Sequence, residues 1–309
     1  MMKKVLVITG PTATGKTVVG VALALRLGGE IISADSMQVY RGMDVGTAKV
    51  TAEEARGVPH HLVDVAAPTE DWSVSRWTEA AAAAGEDILS RGRVPIVVGG
   101  TNLYIDSLLS GRDFSASGDG ALRQELEAEY DALGGEAFRA GLARVDPERA
   151  AKLHPADRKR LVRAMEVYRL TGETITSHDA RTRALPPRWA SLRVALSFAS
   201  REALYARIDR RVEQMAAAGL FEEVRALLDA GVGPEHTSMQ AIGYKEAVDC
   251  VNGKCSRAEA VAAIQLQSRR YAKRQLTWLR RDAGLHWILW GPEPEPARAE
   301  REILALWNS

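Results

Sequence analysis

The segment Gly10-Pro11-Thr12-Ala13-Thr14-Gly15-Lys16-Thr17 has the spacing G-x-x-x-x-G-K-[ST] of a phosphate-binding loop, or P-loop. Its glycines let the backbone curl until successive N–H groups converge on one point, where they favour the oxygens of a phosphate. A helix starting at Lys16 adds the partial positive charge of its N-terminus. Lys16 supplies a full charge for a terminal phosphate, and the Thr17 hydroxyl is a ligand for Mg²⁺. The pattern does this chemistry only between a strand and a helix. Both are present, as the apolar run Lys4–Thr9 before it and a helical pattern over Lys16–Leu27 after it. A tight strand-to-helix turn with an incidental lysine is the competing explanation.

The loop alone does not choose among a nucleotide hydrolase, a small-molecule kinase and an enzyme whose substrate ends in a diphosphate. A hydrolase needs an acid at the end of an apolar strand to support Mg²⁺. The run Val94–Val98 fails here, because it passes into Gly99-Gly100-Thr101, whereas Glu30–Ala34 ends in Asp35. No Asn-Lys-x-Asp motif for guanine is present. In an open parallel sheet the carboxyl ends of the strands face the ligand crevice. Asp35 is therefore expected beside the phosphate loop, as a base acting on a second substrate, a support for Mg²⁺ or a helix cap. Gln38 carries an amide able to pair with a base edge.

These residues must be held by strand–helix alternation. After the first two strands come a short run at His61–Val65, an Ala-rich helix over Val74–Ser90 and the strand at Val94–Val98. Near-continuous apolar strands between helices predict an α/β fold, a P-loop NTPase-like parallel sheet with helices on both faces. The texture then changes. Asp113–Gly120 has linker composition, and helical patterns follow over 121–133, 136–145, from Asp146-Pro147, and over 156–170. A strand returns at Leu192–Phe198, a capping box at Ser256–Glu259 opens a helix to about Arg281, and Leu285–Trp290 is a last strand. This order predicts a discontinuous core, 1–113 with 184–309, interrupted by an all-helical insertion domain at 114–183.

The 309 residues allow about two domains at roughly 150 residues each. Hydrophobic residues at 46% and charged residues at 26% exclude wholesale disorder. A net charge of +1 means that any polyanion must be met by local basic faces. Two such faces are legible: Arg269, Arg270, Lys273, Arg274, Arg280 and Arg281 on one helix, and Arg158, Lys159, Arg160 and Arg163 in the insertion. Each reads as a phosphate-tracking stripe or as a solvated helix face. No apolar run approaches a membrane span, and the N-terminal run is too short for a signal peptide, so a cytoplasmic protein is expected. Cys250 and Cys255 read as reduced thiols without a metal partner set, and the six histidines show no metal spacing.

Taken together the blocks resemble one family, the bacterial tRNA dimethylallyltransferases. The resemblance is carried by the phosphate loop, Ala34–Lys49, Pro59–Asp64, Gly99–Tyr104, Arg163–Gly172, Gln240–Glu246 and Tyr271–Gln275. It implies transfer of a dimethylallyl group from dimethylallyl diphosphate to N6 of the adenosine just 3′ of the anticodon, with Mg²⁺. Gly10, Thr12, Ala13, Thr14, Gly15, Lys16 and Thr17 would then hold a diphosphate leaving group, Thr17 at the metal. The resemblance gives Asp35 the role of general base and Thr101 a contact to the target nucleotide, for which a plain helix cap is the alternative. Arg207 is similar to a residue of the family's diphosphate-binding helix, and otherwise reads as a solvated helix charge. It also implies tRNA contacts, to the anticodon stem-loop, from Asp35, Ser36, Met37, Gln38, Thr101, Arg123, Lys159, Arg160, Arg163, Gln240, Gly243, Tyr244, Lys245, Arg270, Lys273 and Arg274. A monomer is the expected state. A prenyltransferase or kinase acting on free adenine nucleotides, and an RNA-binding NTPase, remain the alternatives. The insertion and the two basic clusters argue against the first, since a mononucleotide does not need them, and the absent acid after the Val94–Val98 strand argues against the second.

Overall fold

The computed structural model describes residues 4–111 and 120–309. Six strands, β1 (Lys4–Thr9), β2 (Glu30–Ser33), β3 (His60–His61), β4 (Pro95–Val98), β5 (Ala190–Phe198) and β6 (His286–Trp290), form one sheet in the order β3-β2-β4-β1-β5-β6. Every pairing is parallel, with Leu6 opposite Ile96 on one side of β1 and opposite Leu192 on the other. Side chains alternate between the faces of a strand. Leu6 and Ile8 therefore join a core with Val19 and Leu23 of α1 (Lys16–Leu27) and Ile303 of α14 (Pro296–Asn308). α3 (Val74–Ser90) packs on β2 and β4, where the Trp77 indole donates to the Ser33 carbonyl at 3.1 Å and stacks on Tyr104 at 4.6 Å. Tyr104 belongs to α4 (Asn102–Leu109), so both helices brace the carboxyl end of β2.

The expected strand over His61–Val65 shortens to His60–His61. Leu62 (φ 61°) and Asp64 (φ 57°) take left-handed backbone, which breaks pairing after two residues. Of the linker expected at Asp113–Gly120, only Gly120 lies among the described residues, as the first residue of α5 (Gly120–Leu133).

The chain divides into two compact units, one reaching Leu108 and resuming at Trp189, the other Leu109–Arg188. The second unit contains α5, α6 (Gly135–Ala143), α7 (Pro147–Lys152), α8 (Arg158–Thr171) and α9 (Ile175–Arg183). Its own core gathers Leu126, Phe138, Leu142, Leu161 and Val162. Asp146 caps α7 by accepting from Arg149 N–H at 3.0 Å, and its other oxygen accepts from Thr176 N–H at 3.1 Å, which ties α9 to α7. In the first unit the remaining helices are the single turn α2 (Ala52–Ala55), α10 (Arg201–Ala217), α11 (Leu220–Asp229), α12 (Tyr244–Val251) and α13 (Arg257–Leu279).

Candidate active site

The phosphate loop leaves β1 through Gly10, whose φ of 138° suits glycine alone, and a Cβ there would lie 2.1 Å from the Leu196 carbonyl oxygen. Ala13 at φ 66° and Gly15 at φ 80° complete the curl. Gly15 caps α1 without a side-chain partner, so the first N–H groups of the helix stay available to an anion. Thr14 Oγ1 and Lys16 Nζ donate to the Pro11 carbonyl at 2.9 and 2.7 Å. Two distant side chains fix the loop. Trp290 Nε1 donates to Thr14 O at 3.0 Å, and Gln275 Oε1 accepts from Thr12 N–H at 3.0 Å. Gln275, buried on α13, also donates through Nε2 to the Gly100 carbonyl at 2.8 Å, so one amide spans the turns after β1 and β4.

A cavity of about 850 Å³ opens over this loop. Lys16, Thr17, Asp35, Gln38, Arg207 and Arg211 are among its walls, and Tyr271 closes one side. Burial, reinforced by the positive charge of Arg211, lowers the Lys16 pKa to about 7 against the opposing pull of Asp35. Arg211 is itself lowered, chiefly by burial and partly by Arg207, with Asp35 countering. Arg207 turns toward Glu293 at 3.3 Å, as does Arg210 at 3.5 Å. The cation enclosed with Lys16 is thus Arg211, one helical turn beyond Arg207, which the sequence reading missed. Its only signal was the i, i+4 spacing on α10.

Asp35 follows β2 directly and accepts Met37 N–H on Oδ1 at 2.9 Å, a local turn that leaves Oδ2 without a protein donor among the described residues. Thr101, at the start of α4, accepts Ser36 N–H at 3.2 Å and so joins the ends of β4 and β2. Burial together with the charge of Asp35 pushes the Tyr271 hydroxyl up to about 12. Gln38 lines the cavity with its amide engaged: Oε1 accepts from Ser33 Oγ at 2.9 Å, and Nε2 donates to Thr47 O at 3.3 Å. The structure thus brings together the phosphate loop, Asp35, Gln38 and Arg207 around one cavity, while Ser36 and Thr101, bonded to each other, follow its wall residues Asp35 and Gly100 in sequence.

The residues expected at RNA are distributed differently. In the first unit, Gln240 and Lys245 are exposed, Gly243 (φ 102°) is buried at the N-terminal cap of α12, and Tyr244 is fully buried with its hydroxyl donating to Glu223. Tyr244 therefore offers no surface to a partner, because its ring packs beneath Gly46. On α13, Arg270, Lys273 and Arg274 are exposed, while Arg269 is paired with Asp209. Arg274 also lies over the Tyr271 ring at 5.6 Å. In the second unit, Arg123 and Arg163 both hold the buried carboxylate of Glu166, at 2.9 and 2.7 Å. Burial alone would raise the Glu166 pKa, but these two hydrogen bonds prevail and hold it low. Arg160 pairs with Asp157 at 3.2 Å, and Lys159 is exposed.

Among the described residues, no helix is long and apolar enough to cross a membrane, and no group of three or more His, Cys, Asp or Glu side chains gathers as a metal site. The family described as IPP transferase matches residues 38–282, and that described as isopentenyl transferase matches residues 3–65. The chain is 48% identical to the tRNA dimethylallyltransferase of Pelotomaculum thermopropionicum, over 92% of this chain and 90% of that one. It is 50% identical to the tRNA dimethylallyltransferase of Anaeromyxobacter sp., over 93% and 95% respectively. Among solved structures it is similar to the full-length tRNA isopentenylpyrophosphate transferase of Bacillus halodurans, with TM-score 0.74, 40% identity and coverage of 100% and 96%. A eukaryotic dimethylallyltransferase acting on tRNA aligns with TM-score 0.85 and 28% identity, over 99% of this chain and 79% of the other.

Proposed function

This chain belongs to the IPP transferase family, and from that membership we propose that its cavity transfers a dimethylallyl group from dimethylallyl diphosphate to N6 of the adenosine immediately 3′ of the anticodon in tRNA. The observation that carries this reading is the placing of a carboxylate, Asp35, on the same cavity as a phosphate loop and two enclosed cations, Lys16 and Arg211. The N6 nitrogen attacks C1 of the prenyl group. The C1–O bond breaks and its electron pair leaves with diphosphate, while the N6 proton passes to Asp35. An exocyclic amine is a weak nucleophile, and a positioned base contributes about 10²–10⁴ in rate.

Charge builds on the departing diphosphate, and the loop N–H groups, Lys16 and Arg211 are set to receive it, with Arg207 at the edge. The site fits Mg²⁺, since the Thr17 hydroxyl is a hard oxygen donor beside the phosphate loop. When bound, Mg²⁺ would neutralise part of the diphosphate charge, held by Thr17. Thr101 contacts the target nucleotide near Asp35, together with Ser36, Met37 and Gln38. Gln240, Gly243 and Lys245 grip the anticodon stem-loop, as do Arg270, Lys273 and Arg274 on α13 and Arg123, Lys159, Arg160 and Arg163 in the helical unit. The protein works as a cytoplasmic monomer. An in vitro assay with Mg²⁺, dimethylallyl diphosphate and either unmodified tRNA or AMP tests the reading by mass spectrometry of digested nucleosides. A five-carbon gain on adenosine from tRNA alone is expected. A gain on AMP would move the function to free nucleotides.

A further inference from the structure

The segment between β2 and α2 forms part of the cavity wall through Asp44, Val45, Ala48, Lys49 and Val50. It is held from outside by one carboxylate. The backbone N–H groups of Asp44, Val45 and Gly46 converge on Glu223 of α11, at 2.8, 2.8 and 3.1 Å. Successive N–H groups of this kind form a concavity that selects an anion, and here the anion is the protein's own side chain. The Tyr244 hydroxyl donates to the Oε1 atom that Gly46 uses. Gly46 lies flat on the Tyr244 ring, since a Cβ there would be 2.4 Å from Cε2. The far end of the segment is tied by Lys49, whose nearly buried ammonium donates to Tyr40 O at 2.6 Å and to Asp44 and Asp64.

Tyr244 opens α12, and its neighbours in sequence point the other way. Lys245 and Gln240 are exposed, and the turn just before Gln240 is pinned by Ser238 Oγ to Pro68 O at 2.6 Å and by Thr237 to Asp71 at 2.8 Å. One short stretch of chain therefore carries outward-facing polar side chains and an inward-facing hydroxyl bonded to the carboxylate that holds the cavity wall. Removing Glu223 would leave three backbone donors without a partner. Removing the Tyr244 hydroxyl would leave the wall held but sever it from the outer segment.

We propose that Glu223 and Tyr244 are positioning residues that couple contact with RNA at Gln240–Lys245 to the setting of the 44–50 wall, so that tRNA tightens the binding of the prenyl diphosphate. The inference rests on the function proposed above. Coupling between sites is reciprocal and commonly amounts to about 5–150-fold in affinity.

The test measures the dissociation constant of dimethylallyl diphosphate for the whole protein, alone and with a saturating anticodon stem-loop. The target adenosine of that stem-loop is replaced by guanosine, which lacks N6 and accepts no prenyl group. Wild-type protein is expected to bind the diphosphate about tenfold more tightly with the stem-loop present. Tyr244→Phe, which keeps the ring beneath Gly46, brings that ratio to within twofold of one, and Glu223→Gln does the same. A merely structural role would lower the melting temperature and leave the ratio intact. A wild-type ratio of one, or a Tyr244→Phe ratio equal to wild type, overturns the coupling. Failure of wild-type protein to bind either ligand overturns the proposed function instead.

Discussion

Lys16 is a lysine in a site that disfavours its charge until an anion arrives. Its pKa near 7 means that the ammonium is formed at pH 6 and mostly neutral at pH 8. A bound diphosphate restores the charge. Binding at pH 8 is therefore expected to take up close to one proton, and binding at pH 6 almost none from this group. Calorimetry in two buffers of different ionisation enthalpy measures that uptake, and Lys16→Met abolishes it. Asp35→Ala is expected to keep tRNA affinity within a few-fold while turnover falls about 10²–10⁴-fold. Normal turnover would remove Asp35 as the base. Both residues were legible, Lys16 through its motif and Asp35 through its place after a strand. Arg211 was not, because Arg207, Arg210 and Arg211 crowd one helix, and only the fold brings Glu293 to the first two. Tyr244 misled for a similar reason. A motif shows that a residue matters without showing which way it faces, and Glu223 lies on another helix.

At the scale of elements, α13 acts as a cross-brace. Through Gln275 it joins the turn after β1 to the turn after β4. Gln275→Leu would strand the partly buried Thr12 N–H and the buried Gly100 carbonyl, the latter costing about 1–3 kcal/mol. The expected result is a lower urea midpoint with unchanged slope, and a raised KM for dimethylallyl diphosphate from a loosened loop. A midpoint equal to wild type would show that the brace is dispensable. Most strands and helices were readable from apolar runs and caps such as Ser256–Glu259, because those signals are local. The sheet order was not readable, since β1 finds β5 across the whole helical unit. Nor was the shortness of β3, which depends on left-handed backbone at Leu62, a type that rarely takes it, and at Asp64.

At the scale of the molecule, a net charge of +1 leaves RNA affinity to local faces. Lys159 and Lys273 are exposed and carry no ion pair among the described residues. Lys159→Ala and Lys273→Ala are each expected to reduce the slope of log affinity for tRNA against log salt by about one. Arg123→Ala is expected to behave differently and to lower stability as well, because it half-strips the buried Glu166 carboxylate. An unchanged slope for both lysine variants would take them out of the interface. The strand order carries a further consequence, for the birth of the protein. β4 ends at Val98 and β5 begins at Ala190, so about 90 residues must be made before the centre of the sheet gains its next strand. At translation speeds of about 5–20 residues per second, that takes roughly 5–20 s. Throughout that interval β1 carries one paired and one bare edge, and a bare edge recruits strands from other chains. The helical unit has its own core and can collapse while the ribosome is still working toward β5. The vulnerable species is therefore a nascent chain with four of the six strands, and synthesis slowed between codons 99 and 189 prolongs its exposure to aggregation.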